Sequence, residues 1–553
     1  MDAGPWLRNY DKEVPHTVSL PATSLYGLLE QAAERNPRGT ATLFYGARLD
    51  YRALKRAVDT FAGSLAALGV RKGDRVALIL PNFPAYPIAH FGALKLGAVL
   101  VPTNPLYVER ELEHQLRDSG AETAVVFDKL YPRLAAVRER TAVKRVIVTG
   151  VDTFLPLILR LLYRLKDRGR VPADASQGVL RLADLLRGAA GPAAAVPIFP
   201  DDPAILLYSG GTTGVSKGAE LTHRNALVNV AQVRAWLWQF RDQQEMFLCV
   251  LPFFHSYGMT TALHLAPLLA STMLLLPRFD LNEVVARIGK HRPTVFCGVP
   301  SMYNAINHHP KASRETVGSI RLCVSGGSGL PEEVQKRFEA LTGAALVEGY
   351  GLSEASPVTH VNPVAGLRKI GSIGLPLPDT DAKVVDPETR EPLPTGREGE
   401  LAVRGPQVMQ RYWNMPEETA AVLHGGWLLT GDIAVMDDDG YFRIVDRKKD
   451  LIISAGMNIY PREVEEVLHQ HPKVMEAAVV GIPNKVRDEV VKAFIVARPG
   501  ETITRSELLE FCRDKLSRYK LPREIEVRES LPKSIVGKVL KRVLRDEELR
   551  KRG

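Results

Sequence analysis

The sequence predicts an α/β protein: a large N-terminal domain of two α/β layers plus a β subdomain, followed by a small, mobile α+β C-terminal domain. Helical patterns alternate with short apolar runs over residues 23–150 and again over 201–362, which is typical of mostly parallel sheets covered by helices. Strand-rich sequence punctuated by Gly and Pro follows over 369–445. Beyond the charged cluster 446–450 new α/β patterning begins. We therefore place the two domains at 1–446 and 447–553.

Each element is predicted from its local pattern, because buried strands are short apolar runs and helices repeat their apolar residues every three or four positions. The predicted strands are 75–80, 123–127, 204–208, 247–251, 294–298, 322–325 and 477–481. The predicted helices are 225–239 and 461–469.

Composition excludes several classes of protein. A hydrophobic content of 45% over 553 residues is that of a globular chain with a large core. The net charge of +9 favours small anionic partners, and because the basic residues are dispersed we expect no nucleic-acid binding. The four cysteines lie far apart without zinc spacing, and the N-terminus has no apolar signal segment. We therefore expect reduced thiols and a cytoplasmic location.

The most informative motif is the glycine-rich stretch 208–218, Tyr-Ser-Gly-Gly-Thr-Thr-Gly-Val-Ser-Lys-Gly. Its glycines let the backbone approach a bound group, and its hydroxyls and Lys217 suit phosphate oxygens. It is not a Walker loop, because serine precedes the lysine and glycine follows it. With an apolar run before it and a helical pattern after it, the motif predicts a strand, a phosphate-binding turn and then a helix.

Further candidate residues lie downstream. In Glu348-Gly-Tyr-Gly-Leu-Ser-Glu354, which we expect to be a loop, Tyr350 could stack on a purine and Glu354 could bind Mg²⁺. Asp432 follows a tight turn and suits ribose hydroxyls, while Arg447 adds a cation. Lys538 follows a glycine near the C-terminus.

Taken together, from about residue 23 to 542, these motifs resemble the adenylate-forming superfamily, and within it the bacterial long-chain fatty-acid CoA ligases. The closest likeness lies in Pro-Phe-Phe-His-Ser-Tyr-Gly-Met at 252–259, in Ser-Ala-Gly-Met-Asn-Ile-Tyr-Pro at 454–461, and in a basic leucine-rich insert at 155–168. The resemblance implies a fatty acid as substrate, ATP and CoA as co-substrates, and Mg²⁺ as cofactor. It also implies formation of acyl-AMP followed by acyl transfer to CoA.

The resemblance also implies a role for each matching residue. Residues expected to act in catalysis are Lys538 at the α-phosphate, His255 beside the acyl carboxylate, Glu354 with Mg²⁺, and Lys449 at the hinge between the domains. Residues expected to bind cofactor are Ser209, Gly210, Gly211, Thr212, Thr213, Gly214, Lys217, Gly327, Ser328, Tyr350, Gly351, Ser353, Asp432, Arg447 and Gly456. Thr212 is expected to join Glu354 at the metal.

Two motifs in this site depart from the pattern of the family. The turn Ser-Gly-Gly-Ser-Gly-Leu-Pro at 325–331 has Ser328 and Gly329 where relatives often have Ala-Pro, which leaves a more flexible wall to the purine pocket. Ser353 stands in place of a commoner threonine. Neither change removes a needed oxygen or charge.

The acid substrate is less sharply defined. Amino-acid-activating relatives usually carry an aspartate where Ser256 stands, so an acid without an amino group is expected. Met259, Gly298, Val299 and Tyr257 are candidates for an apolar acyl tunnel, although core packing explains them equally well. Medium-chain and aryl acids stay open as alternatives, as does a non-catalytic fatty-acid carrier. A homodimer is also considered.

The segment 155–168 is predicted to be a basic amphipathic helix. Leu155, Ile158, Leu159, Leu162 and Leu165 would share one face, and Arg160, Arg164 and Arg168 would form a stripe. Such a helix could contact a membrane peripherally, on its inner face. The alternative is a helix packed on its own domain with a solvated basic face.

Overall fold

The computed structural model describes residues 4–21, 23–166, 174–188, 191, 193, 196–208, 216–448, 450–454, 457–484, 488–513, 515–534 and 539–552. Helices cover parallel and mixed sheets in this part of the chain, so the predicted α/β class is confirmed. Across the same ranges, no helix is both apolar and long enough to span a bilayer.

The strands, in chain order, are β1 (Thr40–Phe44), β2 (Ala47–Asp50), β3 (Arg75–Ile79), β4 (Val99–Pro102), β5 (Thr123–Phe127), β6 (Arg145–Thr149), β7 (Val179–Arg181), β8 (Pro203–Tyr208), β9 (Gly218–Thr222), β10 (Met246–Cys249), β11 (Thr272–Leu275), β12 (Val295–Gly298), β13 (Leu322–Ser325), β14 (Ala345–Gly351), β15 (Val358–Val361), β16 (Leu375–Pro376), β17 (Asp381–Val385), β18 (Gly399–Arg404), β19 (Arg411–Tyr412), β20 (Leu423–His424), β21 (Trp427–Met436), β22 (Phe442–Arg447), β23 (Ile452–Ser454), β24 (Met457–Ile459), β25 (Val474–Asn484), β26 (Asp488–Ala497) and β27 (Glu524–Arg528).

The helices are α1 (Leu25–Arg35), α2 (Tyr51–Ala67), α3 (Ala85–Lys95), α4 (Glu109–Ser119), α5 (Tyr131–Arg138), α6 (Leu157–Lys166), α7 (Leu182–Leu185), α8 (His223–Trp236), α9 (Ser256–Gly258), α10 (Leu265–Leu268), α11 (Leu281–His291), α12 (Pro300–Asn307), α13 (Arg314–Val317), α14 (Glu332–Thr342), α15 (Pro416–Val422), α16 (Pro461–His469), α17 (Arg505–Arg513) and α18 (Lys541–Arg552). A π-helix at Met259–His264 joins α9 to α10.

Two large sheets form the predicted layers, but the chain divides between them differently from the prediction. One sheet has the order β16-β15-β14-β13-β12-β10-β11-β1-β2, and the other has the order β19-β9-β8-β4-β3-β5-β6-β7. The early strand β1 pairs with β11 (Thr42 with Met273), while β8 pairs with β4 (Leu100 with Ile205). Each of the segments 23–150 and 201–362 therefore contributes strands to both sheets. The prediction that each segment forms one layer was wrong.

The glycine-rich motif is followed by a strand and not by the predicted helix. β9 pairs antiparallel with β8 from Tyr208 opposite Gly218 to Pro203 opposite Thr222. The motif therefore connects the two strands of a hairpin, and we call residues 209–217 the hairpin turn. Helix α8 begins only at His223, where the Thr222 side chain caps it by accepting a hydrogen bond from the Asn225 backbone N–H.

Two smaller sheets follow. β17, β18, β21 and β20 form a sheet to which β22 adds, as predicted for a β subdomain, and β24, β23, β26, β25 and β27 form the last sheet. The largest apolar core draws on residues 6–444, whereas residues 452–544 have two cores of their own. The boundary at 446/447 stays a prediction; β22 itself ends at Arg447. The four cysteines are buried free thiols.

Candidate active site

Asp432 lies between Tyr350 and Arg447 and contacts both. Strand pairing places Asp432 of β21 directly opposite Arg447 of β22. Asp432 is 2% exposed; its Oδ2 accepts a hydrogen bond from Tyr350 Oη at 2.5 Å, and its Oδ1 lies 2.8 Å from Arg447 Nε. Tyr350 and Gly351 end β14, so their expected place in a loop was wrong.

The charge and burial of the Asp432 cluster keep Arg447 charged and Tyr350 protonated. The Asp432 carboxylate raises the pKa of Arg447, and burial together with Asp432 raises the pKa of the Tyr350 phenol well above its usual range. The phenol therefore stays a hydrogen-bond donor at neutral pH. Each carboxylate oxygen has more than one lone pair, so Asp432 can accept further hydrogen bonds from a ligand's hydroxyl groups.

Glu354 and Lys217 meet at a third residue, Tyr412, which lies outside every motif that the sequence pointed to. Tyr412 Oη donates to Glu354 Oε1 at 2.8 Å, and Lys217 Nζ lies 5.3 Å from the centre of the Tyr412 ring. Tyr412 is held here because β19 pairs with β9 directly after the hairpin turn. Lys217 also forms an ion pair with Glu418.

The turn after β13 contacts the segment that carries His255. Tyr257 Oη donates to the Val324 carbonyl at 2.7 Å, and a Cβ on Gly326 would lie 3.2 Å from the Tyr257 ring. Gly327 has a φ of +82°, a conformation that favours glycine. His255 caps α9, where its Nδ1 accepts from the Tyr257 backbone N–H at 3.3 Å. Ser328 is exposed, and Ser353 begins a short 3₁₀ turn and is half-buried.

The candidate acyl-tunnel residues Met259 and Val299 are buried. Beside Gly298, a further candidate for the tunnel, the space is filled by core side chains. A Cβ there would lie 3.0 Å from the Phe296 ring and 3.1 Å from the Tyr303 ring.

Several predicted residues lie outside the described part of the chain. They are Ser209, Gly210, Gly211, Thr212, Thr213, Gly214, Lys449, Gly456 and Lys538. Tyr208, just before the hairpin turn, and Ser216, within it, are described and held by other elements. Tyr208 Oη donates to Asp118 Oδ2 at 2.5 Å, and His114 Nε2 lies 3.1 Å from the Ser216 carbonyl oxygen.

Sequence reasoning also passed over Glu348, although it begins the motif that contains Tyr350. Glu348 is 6% exposed, and burial raises the pKa of its carboxyl to about 7. The backbone N–H of Leu330, in the turn after β13, and the charge of Arg462 both oppose this rise in pKa. A charged residue inside an otherwise apolar strand was the signal that could have identified it.

Among the site glycines that the structure describes, Gly351 is the most sensitive to added volume. A Cβ there would lie 2.2 Å from the Pro357 carbonyl oxygen and 2.7 Å from its carbon, and both are backbone atoms. We expect Gly351→Ala to lower the free energy of unfolding by about 3 kcal/mol, measured by urea denaturation. Gly188→Ala is the control, since its Cβ would meet only atoms at 3.5 Å. A Gly351→Ala protein as stable as the control would show that the Pro357 backbone does not restrict this position.

Comparison with known proteins places this geometry in a family. Residues 29–413 match the model of the AMP-binding enzyme family, and residues 463–538 match the model of the AMP-binding enzyme C-terminal domain. The chain is 44% identical over 548 residues to a long-chain-fatty-acid CoA ligase of Bacillus subtilis, covering 98% of each chain. It is 41% identical over 555 residues to the protein of the same name in Escherichia coli, again covering 98% of each.

The fold is also similar to that of a solved structure. ATP-bound MatB from Rhodopseudomonas palustris superposes with a TM-score of 0.84 at 31% identity, covering 95% of this chain and 99% of that one. The apo form of MatB superposes with a TM-score of 0.74, covering 95% and 98%.

Proposed function

The chain belongs to the AMP-binding enzyme family, and from this premise we propose that it activates a long-chain fatty acid with ATP and transfers the acyl group to CoA. A carboxylate oxygen of the acid attacks the α-phosphorus of ATP, and pyrophosphate leaves. The CoA thiolate then attacks the acyl carbon, and AMP leaves. The observation that carries this proposal is identity of 44% to a long-chain-fatty-acid CoA ligase over nearly the whole of both chains.

We assign the nucleoside to the cluster around Asp432. The Asp432 carboxylate would accept hydrogen bonds from ribose hydroxyls, and Arg447 holds that carboxylate in place at 2.8 Å. The Tyr350 ring and the turn 325–331 would bind the adenine. The hairpin turn 209–217 would bind the β- and γ-phosphates, with Lys217 at its end as a cation.

Glu354 and Thr212 are suited to Mg²⁺, given how proteins usually bind this ion. Mg²⁺ is typically held by one or two carboxylates together with substrate phosphates. In the described ranges no group of three metal-binding side chains occurs, while Glu354 offers one half-buried carboxylate next to the end of the hairpin turn. Glu354, with Thr212, would hold the ion, which would reduce the negative charge on the phosphates.

Three further residues are assigned to the chemistry. Lys538 would stabilise charge on the α-phosphoryl group during attack by the acid. Lys449 would lie at the pivot about which the C-terminal part rotates between the two half-reactions. His255, at the start of α9, would lie beside the acyl carboxylate.

Product analysis tests the proposed function. The protein is incubated with Mg-ATP, CoA and a mixture of short, medium, long-chain and aryl acids, and the products are identified by mass spectrometry. We expect long-chain acyl-CoA and AMP. A dominant medium-chain or aryl thioester would change the substrate class, adenylate without thioester would indicate another acceptor, and no nucleotide turnover would favour a non-catalytic carrier.

Helix α6 supports a second part of the proposal, peripheral contact with a lipid surface. Leu157, Ile158, Leu161, Leu162 and Leu165 are 54–75% exposed, so this apolar face is not packed on its own domain. Leu155, expected on the same face, is buried. Arg160 donates to the Leu155 carbonyl, and Arg164 pairs with Asp152. Arg160 and Arg164 therefore bind back to their own domain while the leucines face outward. Arg168 lies outside the described residues.

We expect Ile158→Glu combined with Leu162→Glu to weaken binding to phosphatidylglycerol vesicles about tenfold, because two apolar side chains could no longer enter the interface. The measurement is vesicle co-sedimentation. Leu367→Glu is the control, since Leu367 is 56% exposed elsewhere. Unchanged vesicle binding would contradict the lipid contact. If light scattering showed instead that the double variant converts a dimer into a monomer, the face would belong to a homodimer.

A further inference from the structure

Gly329, in the turn assigned to the adenine, lies against a side chain from the C-terminal part of the protein. A Cβ on Gly329 would be 2.3 Å from Nη2 of Arg462 and 2.9 Å from its Cζ. The φ of Gly329 lies outside the left-handed region, so the backbone does not require glycine here. The missing side chain makes room for a guanidinium group.

Arg462 is anchored to its own surroundings at two points. It is the second residue of α16, and its backbone N–H donates to Asp446 Oδ2 at 2.8 Å. Its Nε donates to Glu466 Oε1 at 3.1 Å. The side chain is 23% exposed. With Nε fixed on one side, the Nη2 end of the planar guanidinium points at the turn.

The charge of the same guanidinium also acts on the buried Glu348 of β14. Burial raises the pKa of its carboxyl to about 7, and the charge of Arg462 opposes that rise. The backbone N–H of Leu330, next to Gly329, also lowers the pKa of the Glu348 carboxyl. Arg462 thus packs against the turn at Gly329, and its positive charge interacts with the Glu348 carboxyl.

Resting on the proposed function, we propose that Arg462 is a positioning residue for adenylation, which holds the C-terminal part of the chain against the adenine turn in the arrangement that binds ATP. The chain superposes better on ATP-bound MatB, with a TM-score of 0.84, than on apo MatB, with 0.74. Proline, which relatives often carry at the position of Gly329, would occupy the place of the guanidinium. The contact therefore depends on both residues of this chain.

Kinetics of the separate half-reactions test the proposal. In ATP–pyrophosphate exchange, we expect Arg462→Ala to raise KM for ATP about five- to tenfold with little change in kcat. Thioester formation from supplied acyl-adenylate should be unchanged. Gly329→Ala should give a similar rise, because the new Cβ displaces the guanidinium. The double variant should be no worse than Arg462→Ala alone, and Arg462→Lys should restore part of the loss.

Arg498→Ala, an exposed arginine on the same part of the chain, is the control and should change neither half-reaction. Melting temperatures show whether each variant is folded. Additive losses in the double variant, or equal loss of both half-reactions, would overturn the positioning role. If the wild type shows no exchange with any acid, the proposed function fails; an unchanged Kd for ATP in Arg462→Ala, by calorimetry, would then overturn this inference separately.

Discussion

Asp432→Asn is expected to lower kcat/KM for ATP about 100-fold while leaving the protein folded. The amide keeps the shape of the carboxylate but loses the charge that pairs with Arg447 and the acceptor strength offered to ribose hydroxyls. Arg447 is 38% exposed, so water can solvate it when its partner is lost. The loss of folding free energy should therefore be only about 1–2 kcal/mol.

Two comparisons separate this effect from general damage. Asp381→Asn removes the charge from another aspartate–arginine pair of the same sheet, with Arg404 at 2.7 Å, and should leave KM for ATP unchanged. Wild type should discriminate against deoxyribose analogues of ATP, and Asp432→Asn should discriminate much less. If the variant keeps both its KM for ATP and its discrimination, Asp432 does not bind the ribose.

Lys538→Ala is expected to slow adenylation about 10³-fold, because an electrostatic contact made as charge develops on the α-phosphoryl group is lost. Thioester formation from supplied acyl-adenylate should be nearly unaffected, since the C-terminal part is expected to withdraw this lysine before that step. The measurements are ATP–pyrophosphate exchange and acyl-CoA formation from synthetic acyl-adenylate.

Lys533→Ala provides a matched control in the same segment. Lys533 pairs with Glu476 at 2.5 Å, and its loss should leave both half-reactions at wild-type rates. Equal impairment of the two half-reactions by Lys538→Ala would assign this lysine a structural role instead.

Much of the fold follows from local sequence. The bounds of β5, β13 and α16 coincide with the predicted ranges, because each is a compact apolar or amphipathic run between polar residues. The polar motifs also predict which residues approach one another at Asp432. That cluster forms because paired strands place residues 432 and 447 opposite each other.

What the sequence could not show depends on partners far away in the chain. β9 was missed because it carries Glu220, a residue type depleted in strands. Glu220 is 3% exposed and pairs with Arg411 of β19 at 3.1 Å. The exchange of strands between the two large sheets and the contact of Tyr412 with Glu354 likewise arise from pairing across long separations. No local pattern encodes such pairings.

Asp446 and Arg447 are neighbours in β22, yet their side chains bind different parts of the protein. Arg447 holds the carboxylate assigned to the ribose, whereas Asp446 accepts hydrogen bonds from the backbone N–H groups of Arg447 and Arg462. One short strand end thus connects the residues assigned to the nucleotide with the start of α16. If orientation of the C-terminal part alters nucleotide affinity by some factor, nucleotide binding must shift the equilibrium between orientations by the same factor. Occupancy of the nucleotide site would then determine which orientation of the C-terminal part is favoured. Through that orientation it would determine which half-reaction follows.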